Sequence, residues 1–161
     1  MPTDAEIRDR FWKALKSDRT IMLGLEGARG GDTQPMTALI EQEDGGPLWI
    51  FTARDNSLVD ALSQSNRAIA TFADKGHHLF ASFHGTLTLD NDRAAIDRLW
   101  NPFVAAWFEG GKDDPNLALL RLDPEGAKIW LNATPIGAAI EWLLGRDPKQ
   151  SYRDKVAETA L

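Results

Sequence analysis

Residues 78–89 constrain the fold of this chain more than any other segment, because apolar and polar side chains alternate along them. A period of two is typical of a β-strand with one face in the core and the other in solvent. The apolar face consists of Leu79, Ala81, Phe83, Leu87 and Leu89. The other face consists of Phe80, Ser82, His84, Thr86 and Thr88. Gly85 predicts a β-bulge or a close approach of another backbone segment.

Shorter strand-like segments flank this strand and are separated by turn residues. They cover residues 20–26, 33–42, 48–53, 66–73, 117–122 and 127–132. Pro35 places the second of them at a sheet edge or a bulge. The residues Asp123, Pro124, Glu125 and Gly126 predict a turn between the last two. Because most strands are joined by turns, we predict a mainly β fold: a small antiparallel barrel with peripheral helices.

Helices are predicted around the strands. Thr3 and Glu6 have the spacing of a capping box, which predicts a helix over residues 4–15. A short helix begins near Leu58, and another, capped by Asp90 or Asn91, runs to residue 100. A fourth is predicted over residues 134–145. We expect residues 1–145 to form one domain and residues 146–161 to form a charged C-terminal appendage.

Net charge, cysteine content and hydropathy exclude several classes of function. The 161 residues carry a formal charge of -6, which disfavours nucleic-acid and polybasic membrane contacts. The absence of cysteine excludes disulfides, thiolate catalysis and cysteine-ligated zinc. The first ten residues include five charged side chains, and no apolar run approaches the ~20 residues of a membrane span. We therefore expect a cytoplasmic protein without a signal peptide or membrane segment.

No catalytic or metal-binding motif stands out. His77 and His78 are adjacent, so on a strand they point to opposite faces, and His84 lies too far along for HxH or HxxxH spacing. We therefore predict no metal site. GxSxG, HExxH, P-loop and GxGxxG motifs are absent. The sequence names no catalytic acid, base or nucleophile.

The bend at residues 52–57 is the best local candidate for ligand chemistry. It leads from a strand directly into a helix, so free backbone N–H groups and Arg54 could hold a phosphate. The alternative is structural: Asp55, Asn56 or Ser57 serves only as a helix N-cap. Local sequence alone leaves both interpretations open.

Six tryptophans make aromatic placement informative. Trp130 shares a strand face with Lys128 and Asn132, whereas Ala127 and Ile129 lie on the apolar face. An aromatic on a polar face often meets a ligand or another subunit, although a lone surface tryptophan is equally compatible. A second aromatic group predicts core packing or a dimer contact; it comprises Trp100, Phe103, Trp107 and Phe108.

Several motifs occur together in an informative order. They are Gln34-Pro35-Met36-Thr37, residues 48–55, Ser82-Phe83-His84-Gly85-Thr86, Leu99-Trp100-Asn101-Pro102, Ala106-Trp107-Phe108, residues 110–115, Leu119-Leu120-Arg121 and Ile129-Trp130. This set resembles the general stress protein branch of the pyridoxamine 5'-phosphate oxidase-like flavoproteins over residues 4–133. The Trp-Asn-Pro and Gly-Gly-Lys-Asp-Asp-Pro stretches are its most specific parts.

The resemblance implies an FMN-binding split β-barrel, with FAD as the alternative flavin. It also implies a homodimer with the flavin at the interface. The implied cofactor contacts are Gln34, Pro35, Met36 and Thr37 on the second strand, Phe51 and Thr52 at the end of the third, Arg54, Asn56, Ser57 and Leu58 at the bend near the phosphate, and Trp130.

Two positions depart from the family pattern. Many relatives carry Arg where this chain has Gln34 and Lys where it has Leu58, and both cations serve the phosphate. A charge-assisted contact contributes about 1.5–3 kcal/mol, so losing two predicts FMN binding weakened several tens-fold or more. This predicts that Gln34→Arg combined with Leu58→Lys strengthens FMN binding.

Two functions follow from the resemblance. The first is a flavin-binding protein of the general stress type, whose flavin could serve an oxidoreductase reaction on a substrate that the sequence does not identify. The alternative is a non-enzymatic module that binds a ligand or protein partner through a weakened or lost flavin site. The C-terminal substrate segment of true pyridoxamine 5'-phosphate oxidases is not recognisable, so that activity is not expected.

Overall fold

One antiparallel sheet makes up most of the computed structural model, which describes residues 2–132, 143–145 and 156–161. The helices are α1 (Asp4–Asp18), α2 (Ser57–Ala61), α3 (Arg93–Leu99) and α4 (Pro102–Ala105). The strands are β1 (Thr20–Leu25), β2 (Thr33–Thr37), β3 (Leu39–Ile40), β4 (Leu48–Ala53), β5 (Arg67–Ala73), β6 (Leu79–Leu89), β7 (Leu117–Leu131) and β8 (Val156–Ala160). The sheet order is β2-β1-β5-β6-β7-β4-β3, and β8 also pairs with β7. The predicted split antiparallel barrel with peripheral helices is confirmed.

Helix α1 covers the main core. Its capping box forms as predicted: the Glu6 N–H donates to the Thr3 hydroxyl, and the Thr3 N–H donates to the Glu6 carboxylate. The helix runs three residues beyond the predicted end and stops where Arg19 adopts a left-handed conformation (φ 62°). Phe11 is fully buried and meets Phe83 edge-on at 5.5 Å between ring centroids. Through this contact α1 packs on the core of the barrel. None of the described helices is long and apolar enough to span a bilayer.

The predicted strand over residues 33–42 is two strands. β2 pairs with β1, whereas β3 pairs with β4, so the chain changes neighbours at Ala38. The Ala38 N–H donates to the Arg19 carbonyl at 2.7 Å, outside either ladder. Pro35 lies on β2, the edge strand, where its missing N–H is tolerated as predicted.

The predicted turn at residues 123–126 is wrong, because β7 is one continuous strand through it. The register with β6 shifts between His84 and Gly85, which leaves Glu125 as an extra residue on β7. A Cβ at Gly85 would lie 2.2 Å from the Asp123 carbonyl oxygen, so the close approach requires glycine. The bulge predicted at Gly85 is confirmed, and Pro124 is tolerated because it lies at that bulge.

The bulge also changes which residues of β7 face the core. Before it, Leu120 and Leu122 belong to the main core; after it, Ala127, Ile129 and Leu131 do. One extra residue reverses the alternation in a structure of period two. The bulge therefore lets a single strand keep its apolar side inward along its whole length.

The end of the predicted C-terminal appendage lies in the sheet. Val156–Ala160 forms β8, pairs with β7 and buries Ala157 in the core. The sequence analysis did not identify this strand, whose only fully inward side chain is a small alanine. The domain boundary after residue 145 stays a prediction, and most of the predicted 134–145 helix lies outside the described residues.

A second, smaller core lies between the sheet and helices α3 and α4. Its buried members are Trp49, Ala95, Ile96, Val104, Phe108, Leu117 and Leu119. The N-cap of α3 is Asp92, and not Asp90 or Asn91 as predicted. The Asn91 side chain is engaged elsewhere: its oxygen accepts from the Leu119 N–H at 2.7 Å. This bond anchors the start of the helical segment to β7.

Candidate functional site

The bend between β4 and α2 is held by local hydrogen bonds. The Arg54 N–H donates to the Asn116 carbonyl at 2.8 Å, and the Asn56 N–H donates to the Ala53 carbonyl at 3.0 Å. The Asn56 side-chain oxygen accepts from the Leu58 N–H at 2.9 Å. Asn56 is therefore the N-cap of α2, the one among the three candidate caps that the structure selects.

Gln34 and Asn56 join β2 to this bend. The Gln34 amide nitrogen donates to the Asn56 side-chain oxygen at 3.0 Å, and the Asn56 amide nitrogen donates back to Gln34 at 3.1 Å. Both side chains are half-buried. Since β2 and β4 are not paired in the sheet, this amide pair is a tertiary link between two segments predicted to hold flavin. Each amide retains a second N–H for another acceptor.

The exposed side of the bend is suited to an anion. Arg54 is exposed, and its guanidinium has no ion-pair partner among residues 2–132, 143–145 and 156–161. The backbone N–H groups of Asp55 and Ser57 also have no acceptor within these ranges. Ser57 is exposed beside them. A guanidinium next to unengaged N–H and hydroxyl groups can bind a phosphate through charge-assisted hydrogen bonds.

Leu58 points away from this surface. Its side chain is 0% exposed and belongs to the main core. Its N–H is already engaged by the Asn56 cap. The implied phosphate contact at Leu58 therefore finds neither an exposed side chain nor a free donor. The reason is that Leu58 and Ala61 form the apolar side by which α2 packs on the barrel.

The two residues predicted at the end of β4 lie on opposite faces of the strand. Phe51 is on the side of the second core and meets Trp100 edge-on at 6.0 Å between centroids. Thr52 is on the side of Ile50, which is buried in the main core. Both are half-buried. Their side chains consequently cannot line one wall of the same pocket, although the backbone between them can.

The predicted residues of β2 also divide between two faces. Gln34 and Met36 face inward, and Met36 is buried at 8% exposure in the main core. Pro35 and Thr37 face outward and are exposed. Only Gln34 therefore reaches the bend by its side chain, whereas Pro35 and Thr37 belong to the outside of the sheet.

Trp130 lies far along the sheet from the bend. Thr52 pairs with Ala118 near the start of β7, and Trp130 pairs with Phe80 near its end. At about 3.3 Å per residue, twelve residues correspond to roughly 40 Å along the strand. Trp130 is half-buried on the outward side, with the Lys128 ammonium 5.5 Å from its ring centroid. Within one chain, the structure does not bring Trp130 together with the bend.

A patch of apolar and hydroxyl-bearing side chains occupies the outward side of β2, β1, β5 and β6 and continues to Trp130, where the Lys128 ammonium lies over the indole ring. We call it the outer sheet face; it consists of Thr20, Met22, Pro35, Thr37, Thr71, Ala73, Phe80, Ser82 and Trp130. Met22 and Phe80 are 38% and 39% exposed. Sequence reasoning missed both as surface candidates; their signal is an apolar residue on the polar side of an alternating strand.

Charged groups surround a groove of about 780 Å³ on β6, β7 and β8, beside the outer sheet face. Glu26 lies 2.7 Å from the His84 ring nitrogen Nδ1, and Glu158 lies 3.3 Å from the Lys128 ammonium. Across the bulge, Arg67 donates two hydrogen bonds of 2.7 Å to Glu125 and lowers the pKa of that carboxyl. In the described part of the chain, no three His, Asp or Glu side chains are grouped to hold a metal ion.

The aromatic group around α4 divides between core and surface. Trp100 is half-buried and Phe108 is buried, with 6.4 Å between their ring centroids. Phe103 and Trp107 are each 84% exposed. The sequence left core packing and a dimer contact open for this group. Trp100 and Phe108 pack in the core, whereas Phe103 and Trp107 are exposed and available for contact.

Comparison with known proteins adds family and fold relationships. A model of the family described as pyridoxamine 5'-phosphate oxidase like matches residues 6–150. A crystal structure of a general stress family protein from Xanthomonas campestris pv. campestris is 60% identical, with a TM-score of 0.78; the match covers 83% of this chain and 92% of that one. The general stress FMN/FAD binding protein of Xanthomonas citri is also 60% identical, with a TM-score of 0.76, covering 81% and 92%.

Two curated relatives are more distant. Protein bli-3 of Neurospora crassa is 24% identical over 131 residues, which cover 76% of this chain and 63% of that protein. General stress protein 26 of Bacillus subtilis is 36% identical over 55 residues, covering 32% of this chain and 38% of that protein. The chain therefore spans less than two thirds of the length of these relatives.

Proposed function

The chain belongs to the pyridoxamine 5'-phosphate oxidase-like family, and from this premise we propose that it is a flavin-binding protein of the general stress type, with FMN or FAD as its cofactor. The observation that carries the proposal is the junction of β2 with the β4–α2 bend, where the Gln34–Asn56 pair lies on the same bend as the exposed Arg54. The 60% identity to the flavin-binding protein of Xanthomonas citri supports it.

The groups at the junction fit a phosphorylated, polyhydroxylated ligand. Arg54 and the N–H groups of Asp55 and Ser57 would hold the phosphate. The Thr52 hydroxyl and the remaining amide N–H of Gln34 would meet hydroxyl groups of the ligand. When bound, a flavin supplies electron or hydride transfer, which none of these side chains can perform. The role of this chain is to bind and orient the cofactor.

A second copy of the chain completes this proposal. Trp130 and the bend lie toward opposite ends of the long strand β7, so a flavin held at the bend would meet the Trp130 of another protomer. We therefore propose a homodimer with flavin at the interface. The outer sheet face, which carries Pro35, Thr37 and Trp130, consists of apolar and hydroxyl-bearing side chains that suit this contact, with Lys128 at its edge. The cytoplasmic location remains a prediction.

The test begins with the absorption spectrum of freshly purified protein, before and after addition of FMN or FAD and removal of the excess. Retained flavin bands are expected. Arg54→Gln should weaken FMN binding by about 10- to 150-fold, the loss of one charge-assisted contact of 1.5–3 kcal/mol. Arg10→Gln, an exposed arginine on α1, is the matched control and should leave affinity unchanged.

The outcomes separate the proposed site from other locations. Failure of the wild-type chain to retain either flavin, with no change in flavin fluorescence or melting temperature, would refute flavin binding. If Arg54→Gln and Arg10→Gln bound FMN equally well, the flavin would bind away from the bend.

A weakened flavin site is the second candidate function. It is favoured by Gln34, a neutral side chain where relatives carry a cation, and by Leu58, whose side chain is in the core. On this interpretation the chain is a non-enzymatic module for another ligand or partner. It predicts that wild-type protein loses FMN during gel filtration and that Gln34→Arg retains it. Stable retention by the wild type would contradict it.

A further inference from the structure

The outward side of α4 and of the turn that follows it is a short apolar ridge. Four residues form it: Pro102, Phe103, Ala106 and Trp107, all exposed. Phe103 lies on α4, and Trp107 lies in the turn, where its N–H donates to the Val104 carbonyl at 3.0 Å. With each at 84% exposure, they are the most exposed large apolar residues described. We call these four residues the α4 ridge.

A helix cap and buried side chains on the inner side of α4 hold the α4 ridge in place. The Asn101 side-chain oxygen accepts from the N–H groups of Phe103 and Val104, both at 3.0 Å, and so caps the helix. Val104 and Phe108, on the inner side, are buried in the second core. The ridge therefore stands on a packed base, which lowers the entropic cost of placing its aromatic rings in an interface.

The exposed area is large for two residues. Aromatic side chains bury about 150–250 Å² each, so Phe103 and Trp107 together expose roughly 350 Å². A protomer contributes about 800 Å² to a standard interface. In a two-fold dimer each protomer contributes its own α4 ridge and also the surface that receives the ridge of the other protomer, so the contact occurs twice. The α4 ridge would thus supply nearly half of the area each protomer needs.

We propose that the α4 ridge docks on the outer sheet face of a second copy of this chain. That face offers a matching surface, since Met22 and Phe80 are partly exposed, and Lys128 lies at its edge beside Trp130. The second core behind the ridge extends to the end of β4 through the contact of Phe51 with Trp100. The inference rests on the proposed homodimer and identifies the aromatic contact that would hold it together.

Sedimentation equilibrium of the full-length chain tests the energetic claim. Truncating a central aromatic in an interface typically weakens association at least 30-fold, so Phe103→Ser and Trp107→Ser should each raise the dimer dissociation constant by at least that factor. Leu89→Ser is the matched control, a 40% exposed leucine at the opposite end of β6 from Phe80. It should leave the constant unchanged. Equal dissociation constants for the ridge variants and the control would overturn the proposal.

A cross-linking experiment tests which surface receives the ridge. Because the chain has no cysteine, Ala106→Cys carries a single thiol that can be labelled with a benzophenone maleimide and leaves both aromatic residues of the ridge in place. Irradiation of the dimer should link this position to peptides of β1, β2, β5 or β6, or to the Trp130 end of β7, from the other protomer. Links confined to other segments, or to the same protomer, would overturn the docking model.

Flavin retention, measured in parallel, separates this inference from the proposed function. A wild-type chain that retains FMN but sediments as a monomer would overturn the ridge contact and leave flavin binding in place. A dimer weakened by the ridge substitutions, in a protein that never retains flavin, would support the ridge contact and overturn the proposed function.

Discussion

The substitution Leu58→Lys distinguishes two accounts of the bend. The resemblance to flavoproteins predicts that lysine at this position restores a cation for the phosphate. The structure predicts the opposite, because the Leu58 side chain is 0% exposed within the main core. A lysine there would place its ammonium among apolar side chains before it could reach any ligand.

The cost can be worked out from the burial. Losing a fully buried leucine forfeits about 1.5–3 kcal/mol, part of which the lysine stem recovers. Holding a lysine neutral at pH 7 costs about 4–5 kcal/mol, from its ordinary pKa of roughly 10.4. Because Leu58 lies in the first turn of α2, the longer side chain can extend toward water and relieve part of this cost. We expect a net loss of about 3–5 kcal/mol in the free energy of unfolding.

Urea unfolding followed by tryptophan fluorescence measures this loss, with FMN titration of the folded fraction in parallel. Leu58→Met is the control for side-chain volume and should cost less than about 1.5 kcal/mol. Gln34→Arg tests the other missing cation at a half-buried position that already faces the bend. If Leu58→Lys unfolded within about 1 kcal/mol of the wild type and bound FMN more tightly, the core placement of Leu58 would be wrong.

Three further predictions concern other parts of the fold. Gly85→Ala should cost about 1–3 kcal/mol in urea unfolding, because its Cβ would meet the backbone at the bulge, whereas Gly126→Ala, with only a 3.8 Å neighbour, should be nearly neutral. Asn101→Ala should cost about 1 kcal/mol by removing the cap of α4; equal stability would mean that α4 does not depend on this cap. Because Arg67 lowers the pKa of Glu125, their stabilisation is present above the ordinary carboxyl value of 4.5 and is lost as the pH falls through the lowered value. The thermal stability of Arg67→Ala should therefore approach that of the wild type in acid, and a gap independent of pH would contradict this.

Local patterns predicted the elements that local physics controls. The capping box of Thr3 and Glu6 specified where α1 begins, because both partners lie within one helical turn. The alternation in β6 identified its core face, and Gly85 marked the bulge. The end of β4 also followed from neighbouring residues, which narrowed the cap of α2 to Asp55, Asn56 or Ser57.

The candidate site was predicted only in part. The bend and Gln34 were each predicted to contact the cofactor, but the hydrogen bond that joins them links residues 22 positions apart, which no local pattern encodes. Phe51 and Thr52 were treated as neighbours in one site, although the strand sends their side chains to opposite sides. The direction of Leu58 depended on how α2 packs against the barrel.

The sequence by itself determined the alternation of β6, the capping box of α1 and the family motifs, because these depend on residues close together in the chain. Tertiary structure decided the register between the strands and which side of each strand and helix is buried. The four residues at 123–126 have the composition of a turn, yet pairing with β6 makes them part of one strand with a bulge at Glu125. The same pairing separates Trp130 from the bend along β7. Strand register is set by the packing of distant segments, so the assembly of the site could be read only from the folded chain.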